Sequence, residues 1–261
     1  TLISRVFAKL YESNIVMVDQ GPITATNRST PASYLGFFDE IRRLLAGESG
    51  RPDSLFSFNS AGACPVCGGK GVIVTELAFM DPIVTECEAC GGVRYNEEAL
   101  ACTYKGKNIV ELLGLTASQA LQVFEDAKIR RRLKVMEQVG LSYLTLGQPL
   151  STLSGGERQR IKLAKNLGRK GSIIVMDEPT TGLHMSDIEN LLSLFDLIVS
   201  RGNTLVVIEH NLDVMKQADW IIDIGPDGGK NGGQVVFTGT PVEMLRCART
   251  LTADSLRASL G

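Results

Sequence analysis

Leu153-Ser154-Gly155-Gly156-Glu157-Arg158-Gln159-Arg160, followed by Ile173-Ile174-Val175-Met176-Asp177-Glu178, decides how the rest of this chain is read. A Ser-Gly-Gly segment that opens a helix presents backbone N–H groups and the positive end of the helix dipole to a phosphate. Four apolar residues ending in two carboxylates describe a buried strand that delivers Asp177 and Glu178 to its carboxyl edge, where α/β folds place their ligands. Asp177 suits Mg²⁺ held through water, and Glu178 suits accepting a proton from, or orienting, an attacking water. An isolated Asp-Glu pair is ordinarily just solvated, but here a turn, Pro179 to His184, follows at once. The next apolar run, Leu205-Val206-Val207-Ile208, closes on Glu209-His210 and brings His210 to a second strand end, within reach of a γ-phosphate. Gln20 ends a third such strand, Asn14 to Asp19, and is placed to couple nucleotide and metal to the loop beyond it. His184 reads as an ordinary turn residue.

Working outward, 261 residues at 44% hydrophobic are enough for a large core and more than one module. Leu2 to Tyr11 and Tyr34 to Ala46 have helical spacing, with loop chemistry from Gly21 to Pro31 between them. Gly47-Glu48-Ser49-Gly50-Arg51-Pro52 turns polar and marks the entry to an inserted module that extends to about Tyr104. Ser118 to Gly140 reads as one or two helices rich in Lys and Arg. Strands at Ser172 to Met176 and Thr204 to Ile208 alternate with helices, which predicts a parallel sheet covered on both faces. Trp220 to Ile224 and Gln234 to Thr238 form a short β-rich end. The divisions are therefore a core part at 1–50, an inserted module at 51–104, a helical region at 105–150 and a second core part at 151–261.

The formal net charge is -2 and the pI about 5.8, so attraction to nucleic acid has to come from a local patch. No apolar stretch reaches the roughly 18 residues of a membrane span, and Thr1-Leu2-Ile3-Ser4-Arg5 lacks the plan of a secretory signal. A reducing cytoplasm is the expected setting. Cys64-x-x-Cys67 and Cys87-x-x-Cys90, with residues 68 to 86 between them, have the spacing of a four-thiolate zinc site. Two disulfides or a redox pair are the competing reading, which the reducing setting and the doubled motif disfavour. Gly68-Gly69 and Gly91-Gly92 free the backbone to turn N–H groups toward the sulfurs. Four thiolates close the shell, so the zinc is structural, and binding of about 10–16 kcal/mol makes the module's fold depend on it. Cys102 and Cys247 read as small hydrophobes.

Between the cysteine pairs Lys70 faces Glu76, Asp81 and Glu86, so that loop is no phosphate-binding surface. The better electrostatic candidates are Arg94, Lys105 and Lys107 beyond it, and Arg130, Arg131 and Arg132 within the cluster from Lys128 to Lys134. A solvated helix face is the competing reading of that cluster. No Gly-x-x-x-x-Gly-Lys-Ser/Thr occurs, so this polypeptide by itself is expected to bind ATP poorly. Thr1-Leu2-Ile3-Ser4 is what usually follows such a loop, and the expectation is that the chain begins just downstream of one.

Together these residues resemble the UvrA family of excinuclease subunits, specifically the second of its two ATP-binding cassettes. The likeness is carried by Val18-Asp19-Gln20-Gly21-Pro22-Ile23, Phe56-Ser57-Phe58-Asn59, the four cysteines, Arg94-Tyr95-Asn96, Tyr104 to Ile109, Leu146-Gly147-Gln148-Pro149, Leu153 to Lys162, Asp177 to His184 and Glu209 to Val214. The resemblance implies an α/β, ABC-type ATPase core with a mainly parallel sheet, an inserted zinc-binding module and a helical signature region. It implies that Ser154, Gly155, Gly156 and Glu157 close over ATP held by an opposing cassette, supplied in cis or by a homodimer. Gln20 becomes the loop glutamine, Asp177 the acid on the Mg²⁺ side, Glu178 the catalytic carboxylate and His210 the switch histidine. The implied partners are double-stranded DNA and the excision-repair subunits that receive damage, with no membrane, and the implied cofactors are ATP, Mg²⁺ and structural zinc. Damage would be sensed through duplex shape and deformability rather than base edges. Departures are the short stretch from Asn166 to Ser172, the acidic loop between the cysteine pairs, and the missing first cassette and phosphate loop. Shorter UvrA relatives linked to drug or antibiotic self-resistance, and a zinc-stabilised fragment without ATPase activity of its own, are the alternatives. A transporter subunit is disfavoured by a zinc module inserted ahead of the Ser-Gly-Gly helix.

Overall fold

A computed structural model describes residues 14–19, 21, 23, 28–77, 80–167, 171–181, 185–226 and 232–260. The expected helix from Leu2 to Tyr11, Gln20 and His184 lie outside the described residues. The chain divides into two compact units at breaks after Gln20 and after Gly168. Strand β1 (Ile15–Val18) belongs to the first unit, and the chain then builds the second before returning.

In the second unit Thr30 opens helix α1 (Pro31–Tyr34) with a reciprocal capping box to Ser33, and Pro31 stands in the first turn. The helix expected from Tyr34 to Ala46 is broken at Gly36, whose φ of +76° ends α1 before α2 (Phe38–Ser49) begins. Helix α2 buries Phe38, Ile41 and Leu45 along one stripe. An antiparallel hairpin, β2 (Val72–Leu77) with β3 (Met80–Glu86), pairs Val74 with Val84. Short helices α3 (Glu97–Leu100) and α4 (Ile109–Gly114) follow, each N-capped by an asparagine side chain. The stretch from Ser118 to Gly140 resolves into two helices, α5 (Ala117–Val123) and α6 (Ala127–Gln138). Asp126 restarts the second by accepting hydrogen bonds from the Lys128 and Ile129 N–H groups. Arg130 Nη1 donates to the Leu121 and Phe124 carbonyls, which the end of α5 would otherwise leave unpaired. Ile129, Leu133 and Met136 are fully buried on α6 while Lys128, Arg131 and Lys134 face water. The unit ends on α7 (Gly155–Asn166).

Back in the first unit, β4 (Ile173–Asp177) lies between β1 and β5 (Thr204–Ile208), parallel to both. Val175 and Met176 are buried, and α8 (Met185–Ser200) makes the crossover from β4 to β5. Helix α9 (Leu212–Lys216), the antiparallel pair β6 (Ile221–Gly225) and β7 (Gln234–Gly239), and helices α10 (Pro241–Cys247) and α11 (Leu251–Ala258) complete it around Met244, Ala253 and Leu256. The fold class is α/β with a parallel sheet. Cys247, read as a small hydrophobe, is exposed at the end of α10.

Helix α6 separates packing from charge. Leu133→Ala should cost about 2–5 kcal/mol in urea unfolding, whereas Arg131→Ala on the same helix should stay within about 0.5 kcal/mol.

Candidate functional site

The parallel register sets Asp177 beside Ile208, and the Glu178 N–H extends the pairing by donating to the Ile208 carbonyl at 2.9 Å. Glu178 then takes a φ of +44°, a left-handed conformation uncommon outside glycine, and its carbonyl accepts from the Thr181 N–H at 3.1 Å. Such a residue at a strand end is where strain is kept for function. The turn brings Glu178 Oε1 to 3.6 Å from His210 Nε2 across the two strand ends. Thr181 Oγ1 donates to the other carboxylate oxygen at 3.3 Å. The side chains of Glu178 and His210 are 52% and 84% exposed, so a solute can reach both. Asp177 is exposed beside them. Three residues singled out from the sequence therefore converge on one edge of the sheet.

Glu209 belongs to the same edge and was not among the candidates. Its Oε1 accepts the Thr180 N–H at 2.7 Å, and its Oε2 accepts the His210 and Asn211 N–H groups at 2.8 and 3.0 Å. Burial alone would raise its pKa, but the hydrogen bonds from Thr180, Asn211 and His210 hold the carboxyl below its usual range. The only sequence signal was an acid directly ahead of the strand-end histidine.

In the other unit, Ser154 caps α7 with a reciprocal box: Glu157 N–H donates to Ser154 Oγ at 3.3 Å, and Ser154 N–H donates to Glu157 Oε2 at 2.7 Å. Tyr143 OH donates to Glu157 Oε1 at 2.8 Å. Both oxygens of Glu157 thus build the helix start. Burial pushes its pKa up, and the bonds from Ser154 and Tyr143 outweigh that and lower it. Ser154 is exposed, and apart from its chain neighbours and its own helix no described residue lies within 4 Å of where a Gly156 side chain would begin. The N-terminus of a 12-residue helix is therefore open to solvent.

The four sulfurs of Cys64, Cys67, Cys87 and Cys90 lie within 4.8 Å of one another, and Cys67 and Cys90 are 3.8 Å apart. A tetrahedral ion about 2.3 Å from each thiolate needs sulfurs about 3.8 Å apart, so the cluster fits zinc. Three of the thiols are buried and Cys90 is half-buried. The amides aimed at sulfur are those of Gly71, at 3.2 Å from Cys67, and of Arg94 at Cys90, rather than those of the Gly-Gly pairs. Each is four residues past the second cysteine of its pair, and both have φ of 77°. The Gly-Gly pairs make the turn that carries the chain back; a side chain on Gly69 would meet the Phe58 carbonyl oxygen at 1.7 Å. Burial raises the Cys67 pKa, but the Gly71 N–H and the other three thiols lower it to about 7. At Cys90 burial again raises the pKa, and there the neighbouring thiols add to it, taking it to about 12.

The basic candidates divide. Arg130 holds the α5 carbonyls, and Lys105 Nζ donates to Glu125 Oε1 at 2.6 Å and to the Val123 carbonyl at 3.1 Å. Arg94 lies over the Phe58 ring at 5.4 Å. Lys107 closes a turn through paired backbone bonds with Tyr104. Arg131 is exposed and Arg132 half-buried on α6.

Comparison with known proteins finds the sequence family described as ABC transporter over residues 88–181. The UvrABC system protein A of Aquifex aeolicus is 49% identical over 94% of this chain, which covers 28% of that protein. The protein of the same name from Methanothermobacter thermautotrophicus is 50% identical over 94% of the chain, which covers 26% of it. The crystal structure of UvrA2 from Deinococcus radiodurans superposes with a TM-score of 0.86 at 45% identity, covering 94% of this chain and 31% of that one. The chain thus spans little more than a quarter of the curated relatives it matches. Among the described residues no helix is long and apolar enough to cross a membrane.

The cap at Ser154 has a measurable worth. Ser154→Ala should lower stability by about 1 kcal/mol at pH 7. Because the folded-state pKa of Glu157 is depressed, its contribution is present above the unfolded value of about 4.3 and is lost as pH falls through the folded one. Urea titrations between about pH 5 and pH 3 should show a shallower decline for Glu157→Gln than for the unmodified chain.

Proposed function

This chain belongs to the UvrA family, and on that premise we propose that it is the second-cassette portion of a DNA-binding ATPase that recognises damage in nucleotide excision repair. The observation that carries the ATPase reading is the approach of Glu178 to His210 at 3.6 Å on adjoining strand ends, with Asp177 alongside. Glu178 takes the proton of, or orients, the attacking water; Asp177 holds Mg²⁺ through water; His210 touches the γ-phosphate. The backbone N–H groups of Gly155 and Gly156, with the Ser154 hydroxyl, receive the triphosphate of an opposing cassette, in cis or from a second copy. Gln20 couples that site to the loop beyond it.

Cys64, Cys67, Cys87 and Cys90 hold one structural Zn²⁺, which fixes the module from Phe56 to Tyr104. Double-stranded DNA is met through its phosphates by basic side chains, Arg131 foremost since it faces water, with Arg132, Lys107 and Arg94 as further candidates. Reading of duplex deformability rather than base edges suits recognition of many lesions. Damage then passes to excision-repair partner subunits in the cytoplasm.

Joined to an upstream phosphate-binding loop, Glu178→Gln should keep ATP affinity while cutting turnover by about 100-fold or more; unchanged turnover would refute the role given to Glu178. Metal analysis should find one zinc per chain, and Cys64→Ala should abolish it and raise amide exchange from Phe56 to Tyr104. A metal-free wild type would end the zinc assignment. ATPase rates should respond to duplex DNA, and differently to damaged and intact duplex; indifference to both would remove DNA as the partner.

A further inference from the structure

We propose that Glu209 is a positioning residue for hydrolysis, its carboxylate clamping the turn that carries Glu178 to the strand end that carries His210. The inference rests on the ATPase reading above.

The two sides of the pair come from different stretches of chain. Glu178 leaves β4 into the turn through Thr180 and Thr181, and His210 leaves β5 toward α9. Their direct contact, 3.6 Å between two largely exposed side chains, is too long and too wet to hold a geometry by itself. Glu209 supplies what that contact lacks. One carboxylate oxygen is given to Thr180, two residues after Glu178, and the other to the backbone N–H of His210 itself and of Asn211. Three amide donors, drawn from both stretches, thus share one acceptor-only group.

Helix capping does not account for this. Asn211 caps α9, accepting from the Asp213 and Val214 N–H groups at 2.9 and 3.3 Å. Nor is the charge there for convenience, since a further carboxylate beside Asp177 and Glu178 is electrostatically unfavourable. The requirement is for acceptors at both ends of one side chain. A carboxylate has two such oxygens, whereas the amide of glutamine has one and would turn N–H donors toward N–H donors. Since a misplacement of about 1 Å can cost about 100-fold in rate, a clamp at this point acts on turnover more than on nucleotide affinity.

The experiment pairs Glu209→Gln and Glu209→Ala with two measurements. The first is amide hydrogen exchange by NMR on this chain. Exchange at Thr180, His210 and Asn211 should accelerate in Glu209→Ala, and on one side of the clamp in Glu209→Gln, but not in Glu178→Gln. The second is steady-state ATPase kinetics with an upstream phosphate-binding loop joined on. Here kcat should fall about 10- to 100-fold with KM for ATP within about threefold, Glu209→Gln retaining more than Glu209→Ala. Unchanged exchange in all three amides would overturn the clamp. Faster exchange with kcat within twofold, a rise confined to KM, or a rate loss explained wholly by a lower folded fraction would overturn its catalytic role. A wild type with no turnover would sink the ATPase reading instead, and the exchange data would then judge the clamp alone. If Glu209→Ala fails to fold, the nearly isosteric Glu209→Gln carries both measurements.

Discussion

The in-register parallel pairing of Ile173–Asp177 with Thr204–Ile208 is the constraint on which the chemistry at this end of the molecule depends. Parallel strands finish at the same edge, so two stretches of chain some thirty residues apart deliver their polar ends side by side. The pairing even runs one residue past the strand, through the Glu178 N–H and the Ile208 carbonyl. Only then does the backbone turn left-handed and send the Glu178 side chain toward His210. That last ladder bond, the Thr181 N–H on the Glu178 carbonyl and the Glu209 carboxylate on the Thr180 N–H together hold the unfavourable φ.

The cysteine module obeys a different economy. A two-stranded hairpin is marginal by itself, and here Ile73, Val74, Ile83 and Val84 are exposed rather than packed. Its foot is better anchored: Phe58 stacks on Phe38 and meets Tyr95 edge-on, and Tyr95 OH donates to the Phe56 carbonyl. Beyond that aromatic foot the buried centre consists of the thiols themselves. A metal ion held by these four cysteines would replace the apolar core that so few residues cannot provide.

Charge in this chain is spent on structure before it is offered to a partner. Arg130 and Lys105 read as members of basic clusters, yet each is bound to carbonyls at the end of α5. Glu157 reads as a nucleotide contact, yet both its oxygens organise the helix start that presents the N–H groups. Helix ends carry unpaired backbone groups that need partners, and long polar side chains nearby satisfy them first.

From the sequence alone the α/β class, the parallel strands, the cysteine cluster and the Asp177–Glu178–His210 edge were legible. Each is written in local terms: apolar runs of strand length, paired Cys-x-x-Cys motifs, and acids directly after a buried segment. The break at Gly36 was missed because apolar spacing continues across it, and only the backbone reveals the left-handed turn. The sulfur-directed amides of Gly71 and Arg94 were missed because the two knuckles must fold before it is known which residue faces which thiol. Glu209 was invisible as an organiser for the same reason, since its partner Thr180 is 29 residues away along the chain. Composition and spacing determined which elements form and which residues end them. Tertiary structure alone decided which polar groups are consumed in holding those ends together, because hydrogen bonds between distant segments depend on the register of the strands that carry them.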